Sequence, residues 1–92
     1  VYPIEIEDIL NEYPDINEAA VIGIPHDDFG ESVIAIIETE IEFDKDKLLQ
    51  TLKKKFASFK VPKDIYFVKE LPRNTMGKIQ KNILRETYKE LV

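Results

Sequence analysis

Ninety-two residues, 43% of them hydrophobic, with no cysteine, one histidine and a net charge of −5, describe one small globular domain with a modest core and too little chain to enclose a sizeable substrate pocket alone. This composition excludes disulfide stapling, a thiol nucleophile and a cysteine metal site, and a lone histidine argues against zinc. No apolar run reaches membrane-spanning length and no secretory leader pattern opens the chain; a cytoplasmic setting is expected, and the start at Val1 without methionine points to a piece of a longer protein.

In chain order, PIEIEDILNEY sets Ile6, Ile9, Leu10 and Tyr13 at i, i+3, i+4 and i+7, with Pro3 suited to a first turn and Glu5, Glu7 and Asp8 near its positive end. This predicts an amphipathic helix ended by Pro14. EAAVIGI and SVIAIIE are continuous apolar runs rich in β-branched residues, separated by the turn-like PHDDFGE, and predict a buried antiparallel pair of strands. DKDKLLQTLKKKF carries Leu48, Leu49, Leu52 and Phe56 on one side and Lys53 to Lys55 mostly on the other, with Asp44 as N-cap and a stop before Pro62. DIYFV reads as a third strand, and QKNILRETYKEL as a last helix turning Ile83, Leu84, Tyr88 and Leu91 inward. The expectation is an α+β fold, a small αββαβα domain with a three-stranded sheet packed against helices over one face.

Charge is divided unequally along this order. Residues 1–46 hold fourteen Asp and Glu against Lys45 alone, or −13, and residues 47–92 hold twelve Lys and Arg against four acids, or +8. A basic half of an acidic protein can face a polyanion such as a nucleotide, although solvated basic helix faces account equally well for any one lysine. The acidic total and the absence of a recognised basic-aromatic motif argue against nucleic acid. Within the basic half, LPRNTMGKIQK at residues 71–81 contains a Gly-Lys pair. A phosphate loop of the form G-x-x-x-x-G-K-[ST] needs glycine where Pro72 stands and a hydroxyl where Ile79 stands, so this loop is of another kind. Pro72 is rigid, Asn74 and Thr75 are polar, and Gly77 is free to adopt positive φ and bring the backbone close to a ligand, with Lys78 beside it.

Three stretches taken together, VYPIEIEDIL, AAVIGIPHDDFGE and FKVPKDIYFVKELPRNTMGKIQKNILR, resemble the C-terminal domain of the adenylate-forming superfamily of acyl-CoA synthetases, peptide-synthetase adenylation domains and luciferases. The likeness runs over essentially the whole chain, and the last stretch is most similar to malonate-type or fatty-acid-CoA synthetases. The resemblance implies a mobile lid on a larger N-terminal domain of the same chain, which would hold ATP, its Mg2+ and the acid. It implies two half-reactions: formation of acyl-AMP and pyrophosphate, then attack of the CoA thiol on the acyl-AMP. Lys78 matches the family's catalytic lysine. Phe59 and Lys63 in the F/Y-K-x-P-K stretch, and Phe29 before the Gly-Glu pair, match positions that approach CoA, with core packing an equal alternative for the two aromatics. Lys81, Arg85 and Lys89 read as a solvated basic stripe, and His26 as a loop hydrogen-bonding residue. Rival readings are a peptide-synthetase lid serving a carrier protein, and a non-catalytic nucleotide-binding module. Alone, the chain is expected to be folded and inactive.

Overall fold

In the computed structural model, which describes residues 3–26, 30–56 and 61–89, the elements follow as α1 (Pro3–Asn11), β1 (Glu18–His26), β2 (Gly30–Glu38), α2 (Lys45–Lys55), β3 (Asp64–Val68) and α3 (Lys81–Tyr88). The expected order and the expected third strand are both present. Asp44 caps α2, its Oδ1 accepting the Lys47 N–H at 3.2 Å, because a short carboxylate satisfies an amide that the helix itself cannot. The first helix stops two residues short of Tyr13. There the amides of Glu12 and Tyr13 donate to the carbonyls three residues back, Ile9 and Leu10, tightening the chain before Pro14, which disfavours helix in its predecessor.

β2 lies at the centre of the sheet, antiparallel to β1 and parallel to β3. A parallel neighbour needs a crossover, and α2 supplies it. The expectation of helices over one face is corrected here, because both faces are covered. Ala19, Val21, Val33, Ala35 and Ile37 pack with Ile6 and Leu10 of α1 and Leu48 and Leu52 of α2. The alternate positions Ala20, Ile22, Ile24, Ile34 and Ile36 pack with Leu71 and with Leu84 of α3. The physical reason was present in the unbroken apolar runs. Successive side chains point to opposite faces, so a strand that is apolar at both parities must be covered twice.

The α3 layer is the thinner one. Leu84 is buried and Tyr88 lies 4.9 Å from Tyr66, centroid to centroid, while Ile83, expected inward, is 41% exposed; one position along a helix turns a side chain about 100° away. Leu91 lies outside the described residues. Partial burial, with a smaller contribution from Tyr66, raises the pKa of the Tyr88 hydroxyl.

Candidate functional site

The segment leaving β3 returns under α3, where Leu71 is buried, and then projects as a small hairpin over residues 73–79 closed by the bridge between Arg73 and Ile79. The Asn74 N–H donates to the Lys78 carbonyl and the Gly77 N–H to the Asn74 carbonyl, each at 2.9 Å. Gly77 has φ +82°, as expected for the left-handed residue of a three-residue hairpin loop. A Cβ at Gly77 would meet no atom within 4 Å, so glycine is needed there for its backbone conformation and not for space. The Asn74 side chain completes the turn, its Oδ1 accepting from the Met76 N–H at 2.9 Å and the Lys78 N–H at 3.0 Å. The amides of Met76, Gly77 and Lys78 therefore all end on Asn74, which separates this loop from phosphate cradles that offer free amides.

Lys78 sits at the end of this turn, exposed, with no ion pair to its ammonium among the described residues. A cleft of 490 Å³ nearby is lined by residues including Leu71, Arg73, Leu84 and Tyr88, and Lys78 is not one of them. The hairpin thus holds an ammonium out toward solvent from a defined backbone.

Its base is anchored by groups that sequence reading missed. Glu38, at the end of the buried β2 row that includes Ile34 and Ile36, accepts from Arg73 through both carboxylate oxygens, at 2.8 and 3.0 Å, and from the Leu71 N–H at 2.8 Å. Hydrogen bonds from the guanidinium, opposed by burial and supplemented by the Leu71 amide and the Arg73 charge, hold the Glu38 carboxyl below its ordinary pKa. On the outgoing side, Gln80 N–H donates to Pro72 O at 2.9 Å, and Lys81 pairs at 2.8 Å with Glu7 Oε2, which also accepts the Val21 N–H at 2.7 Å. Lys81, expected in a solvated stripe, is instead tied to α1. The one sequence signal for the Glu38 contact was an acid ending an apolar run, and its partner lies 35 positions away.

The structure does not bring Lys63 and Lys78 together. Lys63 precedes β3 and is exposed, its N–H donating to Val33 O at 2.7 Å; the Lys78 hairpin follows β3, which spans five residues, or roughly 17 Å at strand spacing. Phe29 and Phe59 lie outside the described residues, as does the side chain of His26, whose backbone pairs with Gly30.

A family profile described as the AMP-binding enzyme C-terminal domain matches residues 5–78. A 2-succinylbenzoate–CoA ligase from Listeria monocytogenes is 43% identical over 88 residues, covering 96% of this chain and 19% of the ligase. The crystal structure of apo MatB from Rhodopseudomonas palustris superposes with a TM-score of 0.91 at 50% identity, covering 99% of this chain and 19% of that one. A Mycobacterium tuberculosis fatty acyl CoA synthetase gives a TM-score of 0.88 at 37% identity, covering 99% and 18%. The chain spans under a fifth of the length of these relatives.

Proposed function

Since this chain belongs to the AMP-binding enzyme C-terminal domain family, we propose that it is the mobile C-terminal lid of an ATP-dependent acid–CoA ligase, in which Lys78 supports formation of the acyl-AMP. In the first half-reaction a carboxylate oxygen attacks the α-phosphorus of ATP, a C–O–P linkage forms and pyrophosphate leaves. In the second, the CoA thiol attacks the acyl carbonyl and AMP departs. The first step joins two anions, and negative charge grows on the phosphate oxygens. A compact ammonium delivered there stabilises that charge.

The observation that carries this reading is the exposed Lys78 ammonium, without an ion pair among the described residues, at the end of a turn in which the Met76, Gly77 and Lys78 amides are all bonded to Asn74. Such a loop contributes side-chain charge rather than a backbone cradle, and Gly77 adds close backbone approach without an amide to donate. Magnesium with ATP, and most of the nucleotide and acid sites, fall to the larger domain. We assign Lys63, with Phe29 and Phe59, to CoA in the second step, and a cytoplasmic setting, which supplies ATP and CoA, is the one this reading favours. Ligases named for 2-succinylbenzoate and for a fatty acid both carry this domain, which supports assigning choice of acid to the rest of the ligase, with fatty-acid metabolism as the setting we favour. Relatives named as CoA ligases favour CoA over a carrier-protein thiol. Rapid-quench measurement of each half-reaction in the complete ligase tests the proposal: Lys78→Ala abolishes most acyl-AMP formation and leaves thioester formation from supplied acyl-AMP, and equal loss of both steps refutes it.

A further inference from the structure

The hairpin that presents Lys78 cannot hold its own position. It has one bridge pair, and its tip buries nothing apolar, since Met76 is 89% exposed; a hairpin of that size is at best marginal in water. Where the ammonium points is therefore decided at the hairpin's base. Arg73 stands directly across from Ile79, the residue after Lys78, so displacement of the incoming arm carries the lysine with it.

What holds the incoming arm is Glu38. Its carboxylate ends the β2 row facing α3 and binds at two places in the arm, the Leu71 amide and the Arg73 guanidinium, using both oxygens. Two points of attachment on one rigid strand fix orientation as well as distance, and a bidentate guanidinium adds planar geometry that a single contact lacks. The carboxylate springs from a backbone position held on both sides, since Glu38 lies in the central strand opposite Glu18 and Val68. Nothing about a buried carboxylate favours the fold by itself: water is lost from a charge that an apolar residue would not carry. No buried polar side-chain atom among the described residues lacks a partner, so the charge is fully engaged, and all of its engagements run to the arm that leads to Lys78.

We propose that Glu38 is a positioning residue for the adenylation step, locking Arg73 and the Leu71 amide so that the hairpin offers the Lys78 ammonium in one orientation. This rests on the assignment of Lys78 above. The residue touches no substrate and acts entirely through the hairpin. Because misplacement of about 1 Å lowers rates by up to about 10²-fold, Glu38→Gln, which keeps shape and removes charge, reduces the kcat of acyl-AMP formation by about 10- to 100-fold, with KM for ATP and the rate of thioester formation from supplied acyl-AMP within about threefold.

The deciding measurement is a cycle in the complete ligase comprising wild type, Glu38→Gln, Lys78→Ala and the double variant, with both half-reactions followed by rapid quench. If Glu38 works through Lys78, it has nothing left to position in Lys78→Ala, and the double variant is no slower than Lys78→Ala alone. An additive loss in the double variant, or equal loss in the two half-reactions, shows a merely structural carboxylate and overturns the proposal. Full activity of Lys78→Ala sinks the underlying lysine assignment; impaired Lys78→Ala beside fully active Glu38→Gln sinks only this one. Should Glu38→Gln fail to fold, the paired replacement Glu38→Leu with Arg73→Met removes the clamp without leaving an unpartnered charge. The same selective adenylation loss is expected of it, and wild-type adenylation in a folded paired variant overturns the proposal.

Discussion

The two ends of the ladder formed by β2 and β3 carry ion pairs of opposite character. Where β3 begins, Lys45 meets Asp64 at 3.0 Å with side chains 47% and 36% exposed, beside the exposed Lys63. Where β2 ends, Glu38 is only 9% exposed and holds Arg73 bidentately together with a backbone amide. Coulomb attraction is screened in the first setting and strong in the second. The difference teaches that the side-chain tie anchoring the Lys78 hairpin is withdrawn from water while the one nearest Lys63 is solvated, and our proposal assigns the two ends to two half-reactions. The strand between them is the spacer.

The largest expected effect breaks the comparison at its centre. In the complete ligase, Lys78→Ala lowers acyl-AMP formation on the order of 10²–10³-fold, as for loss of other preorganised contacts to developing charge. Lys63→Ala does the converse and more weakly, slowing thioester formation roughly 3- to 10-fold as expected of an exposed charge near a polyanion, with acyl-AMP formation unchanged. Half-reaction kinetics of the two variants decide, and a mirror-image loss would assign the ends of the sheet the other way round.

The next effect concerns stability and pH. Glu38 has its folded-state pKa depressed, first by the Arg73 hydrogen bonds, so its stabilisation is present above the unfolded carboxyl pKa of about 4.3 and fades as pH falls through the lower folded value. Glu38→Gln is expected to reduce unfolding free energy by about 2 kcal/mol at pH 7, within the range for hydrogen bonds to charged groups. Urea titrations between pH 7 and 3 should show the gap to wild type closing on the acid side. A gap independent of pH would mean that packing, not charge, holds the arm.

Much of this was legible beforehand. The third strand, the Asp44 cap and the freedom of Gly77 to take positive φ each follow from a local rule, and each is seen. What escaped was non-local. Apolar residues at both parities of EAAVIGI and SVIAIIE were read as simple burial, and the second helical layer they demand was not counted. The pairing of Glu38 with Arg73, like that of Glu7 with Lys81, joins segments that only the tertiary fold brings together, and no spacing rule finds such partners. The Gly-Lys pair was singled out because its motif is local, and the anchor of its hairpin was missed because it is not.

A smaller effect probes the turn. Gly77→Ala places an L side chain at φ +82°, where open space removes any clash but the backbone remains disfavoured by about 1 kcal/mol. Urea unfolding should register that loss, while Gly77→Asn, a residue that tolerates left-handed backbone, should recover part of it. Equal penalties for Ala and Asn would show that something other than φ selects glycine.

The smallest effect sharpens the comparison from its soft end. Asp64 accepts from Lys45 and also from the Ile65 N–H at 2.8 Å, so replacing Lys45 leaves the carboxylate one backbone partner and water. An exposed pair contributes little, because solvent screens the attraction and a long lysine side chain loses rotamer freedom in forming it. Lys45→Met is therefore expected to move the melting temperature by no more than about 2 °C, and the shift should vanish in high salt, where surface attraction is screened. Glu38→Gln should keep most of its penalty in the same salt, because the carboxylate itself is only 9% exposed and also holds the amide of buried Leu71. Melting curves of both variants at low and high ionic strength separate the two ends directly. If Lys45→Met costs as much as Glu38→Gln, or if salt erases both penalties alike, the ladder is held by one kind of interaction throughout, and the withdrawal from water at the Lys78 end has no electrostatic consequence.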